Sequence, residues 1–177
     1  MSRTLAVITA VATLACSEGL APEPGYVFGR VTARVDQAVW ESSYATDSVV
    51  AFYYPTGGRL QVTGQQVGPG QWPTLHIIIA SGATVGAFPL TSDLQQNNAQ
   101  WFPGGLVSYV SSGAAMDSVW LEELDPTTQV VQGHFRFTGR NPNGAQTVQL
   151  EGRFLGHLDL VTVPSARLRC RLTSGCS

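Results

Sequence analysis

Cys16, Cys170 and Cys176 carry the most reactive side chains in this sequence, and their spacing separates the first from the other two. Cys170 and Cys176 stand six residues apart near the C-terminus. In an oxidising compartment such a pair reads as a disulfide, closing a small loop over Arg-Leu-Thr-Ser-Gly. Closure of that loop is worth about 2 kcal/mol on the chain-entropy model. A two-cysteine metal site would need further ligands close by, and none stand there. A thiol redox pair would want the tighter C-x-x-C spacing.

Cys16, the odd one out, ends the stretch MSRTLAVITAVATLAC. Arg3 supplies a positive start, and Leu5 to Leu14 is an apolar run of ten residues. That is too short for a bilayer, which takes about 20 residues, and suits a signal peptide. Leu14-Ala15-Cys16 resembles the end of a lipobox, where the cysteine thiol is acylated and cleavage then makes the cysteine N-terminal. Thr13 departs from that pattern, which prefers a branched apolar residue there. The rival reading is plain secretion into the periplasm or medium, but bulky Leu14 makes a poor Ala-x-Ala-like cleavage site. Two or three acyl chains on Cys16 give stable anchoring, whereas one is marginal. Ser17 after Cys16, with no aspartate there, favours the outer membrane over the inner.

Other candidates for chemistry are sparse. His76, His134 and His157 form no local pair with metal-ligand spacing, and a surface or turn role is expected of each. Glu122, Glu123 and Asp125 make an acidic knot. Neighbours on a strand face opposite ways, so Glu122 and Glu123 are not expected to flank one substrate as a glycosidase pair does. Asp125, in Asp-Pro-Thr-Thr, is a turn former before it is a calcium ligand. There is no G-x-S-x-G elbow, no G-x-G-x-x-G and no P-loop. The expectation is a protein that is not an enzyme and holds neither metal nor cofactor. Tryptophans offer the remaining chemistry, stacking on sugar rings. Trp72 and Trp101, flanked by Gly, Pro and Gln, read as the exposed, ligand-binding pair. Trp40 and Trp120 read as the core pair.

The elements that must position these residues follow a period of two, the period of strands. Val27, Gly29, Val31, Ala33 and Val35 share one face of the opening segment. A turn at Asp36-Gln37 leads to Val39-Trp40. Ser48 to Tyr54 and Arg59 to Gln66 follow, separated by Pro55-Thr56-Gly57-Gly58. Thr74 to Ala80 is the most apolar run and reads as a central strand. Ala83 to Leu90 is short, and Pro103-Gly104-Gly105 interrupts the next segment, so that Leu106 to Ser111 carries its strand. A hairpin joins Ser118–Leu124 to Val130–Gly139, and Val131, Gly133, Phe135 and Phe137 share a face of its second arm. After Asn141-Pro142-Asn143-Gly144, Thr147 to Leu155 alternates again. No segment beyond the signal shows a clean helical period. The fold expected is all-β, an antiparallel β-sandwich or open barrel of about nine to ten strands. Its organisation would be a signal peptide over 1–15, a lipidated tether over 16–24, the β domain over 25–164, and a C-terminal strand or tail with the disulfide loop over 165–177.

Composition bounds the partners. Net charge is −2, and one unit more negative without Arg3, which excludes a strong electrostatic pull on nucleic acid, a pull that needs a basic stripe to neutralise phosphates. Only 12% of residues are charged and none is lysine, so the ten basic residues are all arginine and Thr, Ser, Gln and Asn must supply the polar surface.

Ala33-Arg34-Val35-Asp36 with Trp40, Gly-Ala-Phe-Pro-Leu at 86–90, Val-Gln-Gly-His-Phe-Arg-Phe at 131–137 and Glu-Gly-Arg-Phe at 151–154 together resemble an uncharacterised bacterial lipoprotein family, of the domain-of-unknown-function kind. The resemblance covers roughly residues 25–160 and implies an envelope β-sandwich domain with no catalytic residues. The function expected is a lipid-anchored cell-envelope protein with a structural or binding role. Its partners would be the membrane through the anchor, and a glycan or an envelope protein.

Overall fold

A computed structural model of the chain describes residues 29–43, 49–68, 72–105 and 107–162. Cys16, Cys170 and Cys176, with the signal, tether and tail, lie outside the described residues. Among the described residues there is no helix. Eleven strands form one mixed sheet. They are β1 (Arg30–Val35), β2 (Ala38–Glu41), β3 (Val49–Tyr54), β4 (Arg59–Gln65), β5 (Thr74–Ile79), β6 (Gly86–Pro89), β7 (Asn98–Gly104), β8 (Val107–Ser111), β9 (Ser118–Asp125), β10 (Val130–Arg140) and β11 (Thr147–Leu160).

The two longest strands organise the rest. β10 and β11 pair along their whole facing edges, from Val130↔His157 to Arg140↔Thr147. The far edge of β11 serves two partners in turn: β1 over Leu150–Leu155, then β3 over Leu158–Leu160. The far edge of β10 also serves two, β9 and then β8 at Gly139 and Arg140. Following β11–β3–β4–β5–β7–β8–β10 therefore returns to β11. The pairing of β11 with β3 is parallel, which corrects the purely antiparallel expectation, and the strand count exceeds the expected nine to ten. A parallel pair needs distant segments to meet, and local periodicity carries no sign of that.

Alternation drives the burial. Val131, Phe135 and Phe137 on β10, Val148, Leu150, Phe154 and Leu158 on β11, and Leu60 and Val62 on β4 all face the core. So do Leu75, Ile77 and Ile79, while His76 and Ile78 between them are half-buried, so β5 alternates rather than being apolar throughout. Trp40 of β2 meets Trp101 of β7 edge-on, ring centroids 5.1 Å apart. Strands β1 and β4 approach so closely that a Cβ on Gly64 would stand 2.6 Å from Val31.

Phenylalanines and glycines interlock between β10 and β11. Phe135 is registered opposite Gly152, and Phe154 opposite Gly133. Each ring occupies the space where its partner lacks a side chain. β7 continues through Pro103 to Gly104, where the sequence suggested a break, and an irregularity in its ladder with β8 accommodates the proline. β6 is shorter than the Ala83–Leu90 segment expected. It lies at the end of the strand order and is closed by Pro89, which has no amide hydrogen to donate.

Half-buried His76 on β5 adds a pH dependence. Its Nδ1 lies 3.1 Å from Thr63 Oγ1 and its ring meets Phe102 edge-on. Burial lowers its pKa below 6.5, so the folded chain binds this proton less readily than the unfolded chain. Stability therefore rises with pH through this window: it is complete above about 6.5 and declines as pH falls toward the folded-state value. His76→Gln is expected to flatten that acid-side decline in urea midpoint. An unchanged pH profile would assign the decline to other groups.

Candidate functional site

The outer faces of β2, β1, β11, β10, β9 and β6 make one continuous surface, built by register. One row across the strands runs Val39, Arg34, Glu151, Arg136, Ser118, Pro89. The next runs Glu41, Thr32, Arg153, His134, Trp120, Ala87. A third joins Arg30, Leu155, Gln132 and Glu123. Of the six arginines among the described residues, Arg30, Arg34, Arg136, Arg140 and Arg153 stand on this surface. The sixth, Arg59, lies over the Tyr54 ring at 6.0 Å, on the β3–β4 hairpin.

A groove of about 510 Å³ is sunk into the first two rows. Arg34, Arg136 and Arg153 line it, with Glu151, His134 and Trp120. Two smaller depressions continue it: about 270 Å³ toward Asp36 and Gln149, and about 350 Å³ toward Arg30 and Leu155. Together they form a trough following β11 over four rows, roughly 20 Å at the rise of a strand.

Charges in the trough are incompletely matched. Arg30 Nε donates to Glu41 Oε1 at 2.6 Å. Arg34 reaches Glu151 only at 4.0 Å, with both side chains more than half exposed, so this pair contributes little. Among the described residues Arg136 and Arg153 form no ion pair. Val39, 79% exposed, marks the β2 end of the first row.

At the β9 end a bulge shapes the site. Gln132 faces Glu123 while Gly133 faces Leu121, so Glu122 is the extra residue. Cross-strand partners share a face, which puts Glu123 on the outer side with Gln132. Glu122 reaches that same side, with Oε1 2.8 Å from His134 Nδ1 and Oε2 accepting from Gln132 Nε2 at 3.0 Å. The expectation of opposite-facing carboxylates is thereby corrected: the bulge breaks the alternation on which it rested. His134, by its hydrogen bond, together with Gln132 and the charge of Arg153, holds the Glu122 carboxyl below its usual range. The His134 ring stacks on Trp120, centroids 4.8 Å apart and planes within 14°.

Neither a family model nor a curated protein nor a solved structure matches this chain.

Sequence-derived candidates divide accordingly. Trp72 is 51% exposed, and its Nε1 donates to Gly68 O at 2.6 Å. Trp101 is 4% exposed and packed on Trp40, so it cannot offer a ring to a ligand. Its place inside β7 follows from the strand running through Pro103 rather than turning there. The core pair is thus Trp40 with Trp101, and Trp120 lies on the outer face beside His134. His76 is on β5, away from the trough. His134 and His157 share the outer surface but are registered rows apart. Among the described residues no three His, Cys, Asp or Glu side chains converge to hold a metal ion. Asp125 caps its turn, Oδ1 accepting from Thr127 N–H at 2.7 Å; that bond and others to Thr128 keep its carboxyl below the ordinary value. Arginine clustering was the missed signal. The alternation that buries Val131, Phe135 and Phe137 also gathers Arg34, Arg136 and Arg153 on the opposite side, but only the register between strands makes them neighbours.

Proposed function

We propose that this chain is a cell-envelope lipoprotein, anchored through acyl groups on Cys16, whose β domain is a non-catalytic binding module. In this reading the sheet is a flattened sandwich bridged at its corners by β10 and β11. The outer trough along β1, β11 and β10 receives the partner. The observation that carries the reading is the groove in which Arg136 and Arg153 stand without ion pairs. Cationic side chains held in a concave surface, near carboxylates but not in close ion pairs with them, are ready to meet a partner's anions.

Two measurements test the two halves of this reading. Labelled palmitate is expected to enter the full chain and not the Cys16→Ser variant, which should leave the membrane fraction. Unchanged labelling in Cys16→Ser removes the anchor. Separately, the mature protein in detergent is expected to be retained on delipidated envelope material at low salt. An Arg136→Glu/Arg153→Glu double variant should elute about tenfold more readily, since reversed charge repels an anionic partner. Equal retention of the double variant removes the trough as the binding surface.

A further inference from the structure

Resting on the binding reading above, we infer that the trough recognises an anionic glycan, a chain of sugars bearing carboxylate groups at intervals. Length is the first reason. The arginines are rooted along the trough rather than at one point of the sheet. They are spread over successive rows: Arg34 and Arg136 on one, Arg153 on the next, Arg30 on the third. Neighbouring rows on one face lie about 6.8 Å apart, two residues of strand rise. A polymer with regularly spaced charges meets that ladder, and a compact anion does not.

The groups between the arginines supply the second reason. Glu151 sits between Arg34 and Arg136 in the first row, and Glu122 stands at the β9 end of the second. Carboxylates accept hydrogen bonds from sugar hydroxyls, which a charged glycan offers on the same units that carry its anions. Thr32 and Gln132 add neutral donors and acceptors on the rows of Arg153 and Arg30, and Thr138 with Gln149 do so on the row beyond Arg136. Uronic acid units carry both kinds of group, a carboxylate for an arginine and hydroxyls for the residues beside it. Arginine suits the carboxylate because its planar fork can donate two parallel bonds. Trp120 gives the third reason. Its half-buried ring, backed by His134 and registered beside the small side chain of Ala87, forms an aromatic wall at one end of the groove, against which a sugar ring packs.

The experiment uses the mature lipoprotein in detergent micelles, titrated with oligogalacturonate, with maltohexaose as the uncharged control and with phosphatidylglycerol vesicles. Binding is read by calorimetry and tryptophan fluorescence. Oligogalacturonate is expected to bind and to weaken at least about tenfold from low to high salt, with maltohexaose giving no signal. Arg136→Glu and Arg153→Glu should each weaken it about tenfold, and Arg59→Glu, on the β3–β4 hairpin, less than about twofold. Equal affinity for maltohexaose, equal loss in Arg59→Glu, or binding to vesicles alone overturns the inference. So does no binding to any probe. In those cases the broader reading stands or falls separately, on whether envelope retention still depends on Arg136 and Arg153.

Discussion

Replacing Asp117 by alanine is expected to lower the free energy of unfolding by about 3–5 kcal/mol, seen as a fall in urea midpoint at constant m-value. Asp117 is 2% exposed and sits just before β9. Its Oδ1 accepts from Thr138 N–H at 2.9 Å. Its Oδ2 accepts from Ser112 Oγ at 2.8 Å and from Ala114 N–H at 3.2 Å. Its own backbone is engaged too, with Asp117 N–H donating to Ala114 O and Leu90 N–H donating to Asp117 O, both at 2.9 Å. One carboxylate thus ties the 112–117 loop, the start of β9 and the C-terminal part of β10 together. Each charge-assisted bond is worth about 1.5–3 kcal/mol, and removal strands donors that lie away from water. The cost of burying the charge itself offsets part of this, which keeps the net below the sum. Asp117→Asn retains the shape and one acceptor oxygen, and is expected to lose about half as much. A loss under about 1 kcal/mol in Asp117→Ala would mean the loop is held by other contacts. The consequence extends to binding, because the start of β9 positions Trp120.

Gly152→Ala is expected to cost about 3 kcal/mol, while Gly156→Ala, four residues along the same strand, stays within about 0.5 kcal/mol or stabilises slightly. A methyl on Gly152 would stand 2.1 Å from the carbonyl oxygen of Thr32 and 2.7 Å from Phe135 Cζ. The oxygen belongs to backbone, so relief requires β1 to move away from β11. On Gly156 the nearest atoms, in Ala51, Val131 and Val49, are all at 3.6 Å, an ordinary contact. Both substitutions reduce the freedom of the unfolded chain alike, so their difference reports the crowding at Gly152, from the β1 backbone and the Phe135 ring. Thermal unfolding of the two variants checks it. Equal melting temperatures would show that β1 yields freely. Gly152 lies between Glu151 and Arg153, so displacement of β1 also widens the trough and is expected to weaken envelope retention in the same variant.

Much of the fold was legible because each strand carries its own burial code. The Asp36-Gln37 turn stands where expected, with Asp36 in the left-handed region at φ 55° and its carboxylate accepting from Gln149 N–H at 2.8 Å. The β9–β10 hairpin and the alternation of β10 were equally plain, since turn chemistry and period-two patterning agree there. What failed was anything that depended on a departure from local rules. The bulge at Glu122 has no composition of its own, yet it brings two acidic side chains to one surface. Pro103 reads as a breaker, and β7 accommodates it through an irregular ladder, carrying Trp101 inward. The trough was not legible at all. Arg34, Arg136 and Arg153 are far apart in the chain and become a cluster only when β1 and β10 pair on opposite edges of β11.

That double-edged role of β11 has a kinetic side. β1, β3 and β10 find early partners in β2, β4 and β9, each leaving one row of amide and carbonyl groups unanswered. All three wait for the same segment, and it comes after them in the chain. Synthesis runs from the N-terminus, so a chain complete through β10 but still lacking β11 presents three open templates for pairing with strangers. Ordering spans more than a hundred residues before the last strand closes them, which makes for slow, all-or-none assembly. For such a molecule the hazardous interval is the moment just before its final strand arrives.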